Sequence, residues 1–250
     1  MAWVTKDSVE QYDQTPEPPK EYTKKEKAQN WWHYHKFIVL GVVLGIAAVV
    51  WIVKDTVFQT RPDVQVGYIG RYDLPIDTVN ALQDALTPYC TDLNGDGKVV
   101  VQVNSYTVDF DSENASTDAY TQMAGVTRLS ADLVERGTLY VMLIEDPAGF
   151  QSSTGALAYL DGTLPADDAD DWQNMVYRWT DCPVLAGMDL GNYDGYTLVD
   201  DATGTNQSVL STLYVGRRAM LDDEQAAHYA DGEELWQALT AGAVSTAAAE

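Results

Sequence analysis

Apolar residues along this chain fall into one long unbroken run, followed by a series of short ones. The long run is Phe37–Val53, seventeen residues without a charged side chain, bounded by Lys36 and Lys54. As a helix it covers roughly 25 Å, near the hydrocarbon thickness of a bilayer, about 30 Å. The flanking lysines can extend their charged heads outward, and Trp31, Trp32, Tyr34 and Trp51 suit the two membrane interfaces. A core helix of a soluble domain is the competing explanation. The pattern predicts a single transmembrane helix over residues 37–53.

Beyond Asp63 the runs shorten and their period changes. DVQVGYIG (63–70) alternates Val64, Val66 and Tyr68, which predicts a strand. Leu74-Pro75 opens a helix with Ile76, Val79, Leu82 and Leu86 on one face, stopped at Pro88. VVVQVNSY (99–106) is a second strand, apolar on both faces. A second helix follows over 118–136, with Met123, Val126, Leu129 and Leu133 as its inner stripe and Gly137 as its stop. TLYVMLIED (138–146) is the third strand. Strand, helix, strand, helix, strand with short connections predicts an α/β fold, an open, mostly parallel, doubly wound sheet preceded by one transmembrane helix. After residue 146 the pattern is weaker. GALAYL (155–160), NMVYRW (174–179) and VLSTLYVG (209–216) are strand candidates, and 222–239 is a final helix.

This division yields a polar, disordered tail over 1–36, the span over 37–53, a linker over 54–62, an α/β domain over 63–240 and a frayed end over 241–250. His33 and His35 fall beside the interface as solvated residues. Charge then orients the chain. Of its fifteen basic and thirty-eight acidic residues, six of each lie in 1–36 and none in the span. The remaining nine basic and thirty-two acidic residues place the whole net charge of −23 after the span. Lys20, Lys24, Lys25, Lys27 and Lys36 crowd the N-terminal flank, and basic flanks stay cytoplasmic. The expected arrangement is a signal anchor in a bacterial plasma membrane, with the N-terminus inside and the acidic domain outside. Such a surface repels nucleic acid. Gly41 and Gly45 form a GxxxG pair through which two spans can approach as a dimer.

The sharpest local motif is DLNGDGK, residues 92–98. Asp92, Asn94 and Asp96 alternate ahead of Gly97, as in the first half of an EF-hand loop, with the Lys98 carbonyl as the next ligand of a calcium ion. The twelfth loop position is Val103 rather than glutamate, so a remote acid must complete the shell. Glu135, and less favourably Asp132, sits at the turn before the third strand, on the same sheet edge. An Asn-Gly/Asp-Gly turn without metal gives the same sequence. At the opposite edge, open sheets bind ligands beyond the carboxyl ends of their strands. Arg71 and Tyr72, Ser105 and Tyr106, and Glu145 and Asp146 occupy those places and suit a sugar or an amino-acid-like solute.

Other features carry less. ADDADDW (166–172), with Tyr177 and Trp179 nearby, reads as an acidic cap on a helix start or a cation or carbohydrate contact. Asn114-Ala-Ser116 and Asn206-Gln-Ser208 match the glycosylation sequon. Cys90 and Cys182 fit a disulfide or two separate thiols equally. No GxSxG, HExxH or P-loop sequence is present, and His228 is the one histidine after the span. A carboxylate-pair hydrolase of the cell wall is the enzymatic alternative to a non-enzymatic binding module.

The order of DVQVGYIG, PIDTVNALQDAL, VVVQVNSY, the helix to Leu133-Val134-Glu135-Arg136-Gly137, and TLYVMLIED, followed by DPAGFQSSTGALAYLDG (146–162), resembles the first lobe of bacterial extracellular solute-binding proteins of the type 2 periplasmic class. The resemblance covers 63–162 and is one of pattern. It implies a solute-binding-protein-like lobe, and some members of that wider group carry an EF-hand-like loop completed by a remote glutamate. A complete binding protein closes two lobes on its solute. One lobe on a helical anchor implies display, assembly, or a solute-recognising accessory subunit of a transporter or sensor.

Overall fold

Thr23 and Glu26 cap each other. The Glu26 carboxylate accepts from the Thr23 amide at 2.8 Å and hydroxyl at 2.9 Å, and Thr23 Oγ1 accepts from the Glu26 amide at 3.4 Å. This capping box starts helix α1, Lys24–Val57, thirteen residues ahead of the apolar run. The disordered tail expected over 1–36 is therefore corrected from Lys24 onward. The computed structural model describes residues 21–57, 62–110, 118–134, 139–196, 201–220 and 229–245. The chain divides into two compact units, Met1–Gln59 and Thr60–Glu250.

In the first unit, side chains of the apolar run are exposed around the helix, among them Phe37 at 74%, Leu44 at 61% and Trp51 at 71%. A side chain built at Gly41 or Gly45 would meet nothing, so that flank is open. On the polar extension, Trp31 stacks on His35 one turn later, with ring centroids 5.0 Å apart. Among the described residues, one helix is thus long and apolar enough to cross a membrane.

The second unit is built on a five-stranded sheet in the order β2-β1-β3-β7-β4. Its strands are β1 (Val64–Gly70), β2 (Val101–Thr107), β3 (Val141–Ile144), β4 (Val176–Arg178) and β7 (Tyr214–Arg217). β1 pairs in parallel with β2 and β3, while β7 runs antiparallel between β3 and β4, so four of the five strands point the same way. β5 (Asn192–Tyr196) and β6 (Asp201–Thr205) form a separate hairpin.

Alternation along each strand feeds two cores. Val66, Tyr68, Val101, Val103, Val141, Leu143 and Val215 face α2 (Ile76–Leu86) and α7 (Ala230–Leu239). Ile69, Tyr106, Met142, Ile144 and Val176 face α3 (Ala119–Val134) and α4 (Pro147–Thr154). Helices on both faces of a mostly parallel sheet explain why β1 and β3 are apolar on successive residues. α5 (Pro183–Ala186) and α6 (Asn206–Leu210) join the α2 side through Leu185 and Leu210.

Two helical stripes differ from the expected ones. Ile76 is 70% exposed, and Thr78 takes its place inward, donating to Asn206 Oδ1 at 2.7 Å. On α3, Met123 and Val126 are exposed while Leu129 is buried. The inward position is Gly125, where a Cβ would come within 2.2 Å of the Thr107 carbonyl. A glycine, and not an apolar side chain, sets how closely α3 lies on β2.

The later half departs further. GALAYL contributes only a bridge from Leu157 to Arg218, and part of VLSTLYVG is helix α6. The described part of the last helix starts at Ala230. α7 is fastened to the sheet by Arg217, 5% exposed, whose Nη1 donates to both oxygens of Glu233 at 2.9 and 2.8 Å. Arg217 Nη2 also donates to the Leu160 carbonyl at 2.7 Å, and its guanidinium lies 5.4 Å from the Trp236 ring centre. Gly162, at φ +90°, makes room for it, since a Cβ there would sit 2.8 Å from Nη2.

Candidate functional site

The DLNGDGK loop folds on its own oxygens. Asp92 accepts from the Gly95 amide at 2.7 Å and the Gly97 amide at 2.8 Å. Asn94 Oδ1 accepts from Asp96 and Asp96 Oδ1 from Lys98, each at 2.9 Å. Gly95 and Gly97 have φ of +73° and +83°, values open to glycine and strained for other residues. The alternate oxygens of the motif are thus gathered by backbone N–H groups into a tight turn. Its donor set of two carboxylates, one amide and the Lys98 carbonyl suits a hard cation, but a calcium shell takes six to eight oxygens. Among the described residues, no three His, Cys, Asp or Glu side chains converge as a metal site. Glu135, expected to complete the shell, lies outside the described residues. Asp132, the lesser candidate, accepts from the Tyr106 hydroxyl instead.

The anchor of this loop is Asp63, which sequence reasoning treats only as a strand start. Its Oδ1 accepts from the amides of Leu93 at 2.9 Å and Asn94 at 3.1 Å, and its Oδ2 from the Val100 amide at 2.8 Å. Burial alone would raise its pKa, but the Val100, Asn94 and Leu93 amides together hold it below the ordinary aspartate value. A carboxylate depressed in the folded state stabilises above its unfolded pKa of about 3.9, and that contribution is lost as pH falls through the folded value. Asp63→Ala is expected to destabilise the Thr60–Glu250 fragment by about 1–2 kcal/mol at neutral pH, the loop amides being partly hydrated in compensation. Urea melts at neutral pH and near pH 3 check this. An equal effect at both would show that the carboxylate charge is irrelevant.

At the carboxyl edge the structure brings together some expected residues and separates others. The Arg71 amide donates to Glu145 Oε2 at 2.8 Å, and Arg71 Nε lies 3.6 Å from Glu145 Oε1 and 3.9 Å from Asp109 Oδ1. The Asp109 side chain is only 1% exposed, and the Gln122 amide holds its backbone carbonyl at 2.8 Å. Tyr68 donates to the Tyr72 carbonyl and Thr107 to Asp73, so the turn after β1 is fixed. Arg71, Tyr72 and Glu145 therefore stand at the point between β1 and β3 where the chain's crossovers diverge to opposite faces.

Tyr106, expected at this edge, is corrected: its even register turns it into the α3 core, 1% exposed, with its hydroxyl on Asp132. Ser105, half-buried in β2, has no described bond to the Arg71 group. Asp146 caps α4, accepting from the Gly149 amide at 3.0 Å. Asp109 was not anticipated; nothing in its local sequence distinguishes it from other acids.

The acidic segment does not cap a helix through its aspartates. Asp171 accepts from the Tyr159 hydroxyl and the Asn174 amide, both at 2.9 Å. Asp167, Asp168 and Asp170 line an open groove of about 380 Å³ against Gln151 and Ser152 of α4. Trp179 is buried with its indole N–H on Gln207, and Tyr177 stacks on Trp236, so neither joins a surface aromatic group. Cys90 and Cys182 are free thiols, pushed up to about 11 and about 12 by burial, so both stay protonated at neutral pH. Asn206 is 1% exposed and donates to the Leu190 carbonyl, which closes the second sequon to any transferase. The first sequon and His228 lie outside the described residues. Compared with family models, curated proteins and solved structures, the chain matches none.

Proposed function

We propose that this chain is a membrane-anchored display module, a non-enzymatic binding or interaction domain held outside a bacterial cell by α1. The observation that carries the reading is the division itself: a 34-residue helix whose apolar run is exposed on all sides, and a separate α/β unit with two cores of its own. The lysine-rich flank before the span and the acid excess after it support an inside N-terminus. The β2-β1-β3 order with helices on both faces supports the likeness to a solute-binding-protein lobe. A structural calcium ion on Asp92, Asn94, Asp96 and the Lys98 carbonyl belongs to the same proposal. Those residues would hold it, and it would fix the turn that Asp63 anchors.

A C-terminal phosphatase fusion, active only after export, tests the orientation. Active fusions at residue 250, with an N-terminal fusion inactive, are expected; the reverse pattern removes the extracellular reading. In the same cells, the Thr60–Glu250 fragment should melt higher when calcium is restored after chelation, by about 2.7 kcal/mol at a hundredfold excess over Kd. Asp96→Ala should abolish the rise, and a melt indifferent to calcium removes the ion. A second reading, recognition of a solute at Arg71, Tyr72 and Glu145, is favoured by their place at the divergence of the crossovers.

A further inference from the structure

Ala148, Gln151 and Ser152 share one side of α4, and the segment 167–172 lies across from them over the groove of about 380 Å³, a volume within the range for small-molecule sites. All of its lining residues fall in 148–172, inside the continuously described stretch 139–196. The wall opposite α4 is held in place. The Ala169 amide donates to the Ala166 carbonyl at 3.0 Å, and Asp171 accepts from the Tyr159 hydroxyl and the Asn174 amide. Asp167, Asp168 and Asp170 are thus carried on a fixed turn, and no lysine or arginine is among the lining residues.

Gln151 is the one buried residue of that lining, 6% exposed. Its Oε1 accepts from the Leu157 amide at 3.0 Å. A backbone N–H can be met only by the oxygen of the side chain, so this bond fixes which end faces Leu157 and turns the NH2 group away from it. Among the described residues that NH2 group meets no acceptor, and a buried donor left so is unfavourable. Trp172, half-buried, adds an indole to the lining, set edge-on to Tyr214 with ring centroids 5.7 Å apart. The groove therefore presents a buried donor that needs an oxygen, beside three carboxylates that favour positive charge.

We infer that this groove binds a hydroxylated amine of amino-sugar size, its ammonium among Asp167, Asp168 and Asp170 and one of its oxygens on the Gln151 amide. A plain amine or a bare metal cation satisfies the carboxylates and offers Gln151 no acceptor. A neutral sugar serves Gln151 and leaves three neighbouring like charges uncompensated. An anion is opposed by all three. Only a ligand that joins a cation to hydroxyl groups answers both walls. The inference is independent of the anchoring, of the calcium loop and of the Arg71 group.

The full chain, in a polyoxyethylene detergent at pH 6, is titrated by calorimetry with glucosamine, glucose and cyclohexylamine. Chelator is present throughout, which keeps the Asp92 loop out of the measurement. Saturable binding of glucosamine below about 10 mM, about tenfold or more tighter than glucose or cyclohexylamine, is expected. Asp168→Asn with Asp170→Asn should weaken glucosamine about tenfold, the two carboxylates being exposed. Gln151→Met should weaken it about as much. Ala148→Trp, at an exposed position of α4, fills the groove and should abolish binding, and it decides the matter if Gln151→Met fails to fold. No saturation by glucosamine, equal binding of glucose or cyclohexylamine, or glucosamine binding that survives these substitutions overturns the site.

Discussion

Leu44→Asp combined with Ala47→Asp should move the full chain from the membrane pellet to the soluble fraction. Both positions lie near the middle of the apolar run, at the depth where an aspartate opposes insertion by about 2.5–3.5 kcal/mol. The pair therefore removes roughly 5–7 kcal/mol of insertion free energy. Aspartate is chosen because its short stem cannot reach an interface as lysine does. Carbonate extraction followed by sedimentation reads the result, with the Thr60–Glu250 fragment as the soluble reference. If the doubly substituted protein still pellets like the parent, something other than α1 holds it to the membrane, and the display reading loses its basis.

Arg217→Met should strongly destabilise the α/β unit. It removes the bidentate pair with Glu233, the bonds to the Leu160 and Tyr159 carbonyls and the contact with Trp236. Deleting one partner of a buried pair destabilises by 3–5 kcal/mol, and the partial exposure of Glu233 argues for the low end, about 3 kcal/mol. For a unit of this size that is roughly 6–12 °C in Tm. Arg217→Met with Glu233→Leu should recover much of the loss, because the unpaired acid is then gone. Burial would raise the Glu233 pKa, but its bonds from Tyr140, Gln237 and Arg217 outweigh that and lower it. Its stabilising contribution is therefore present above the unfolded value of about 4.3 and lost as pH falls through the folded one. The stability difference between the parent and Arg217→Met should therefore narrow across that acid window. A loss below about 0.5 kcal/mol would place the pair with ordinary surface ion pairs.

The first half of the domain is legible because β1 and β3 are covered on both faces and so stand out as apolar runs, while β2, at the sheet edge, keeps Val101, Val103 and Tyr106 buried. Their crossover helices follow from Leu82, Leu86 and Leu129. Legibility fails where the inward residue is not apolar. Thr78 and Gly125 hold places that the period assigns to Ile76 and Met123, because one makes a buried hydrogen bond and the other admits a backbone. After residue 146 the elements shrink: β4 has three residues and β7 four, too few for a period. α6 buries Asn206, whose bonds to Thr78 and Leu190 appear only in three dimensions. The same holds for the site. Asp63 stands twenty-nine residues before Asp92, and Arg217 meets Glu233 sixteen residues later, so neither pairing has a local signature. The capping box TKKE at Thr23–Glu26 is passed over when that stretch is read as part of a polar tail, although it marks the helix start better than the apolar run does.

Chain order gives the placement of β7 a consequence in time. β1, β2 and β3 can pair once residue 144 has been made, but β4 has no neighbour until Tyr214–Arg217 are made, more than thirty residues after β4 ends. At about 5–20 residues per second, synthesis leaves the free edge of β4 waiting for roughly two to seven seconds and that of β3 for about twice as long. Those edges offer unpaired backbone to any passing strand. A chain stopped before residue 214 keeps them open for good, so premature termination there should yield aggregates rather than a smaller soluble domain.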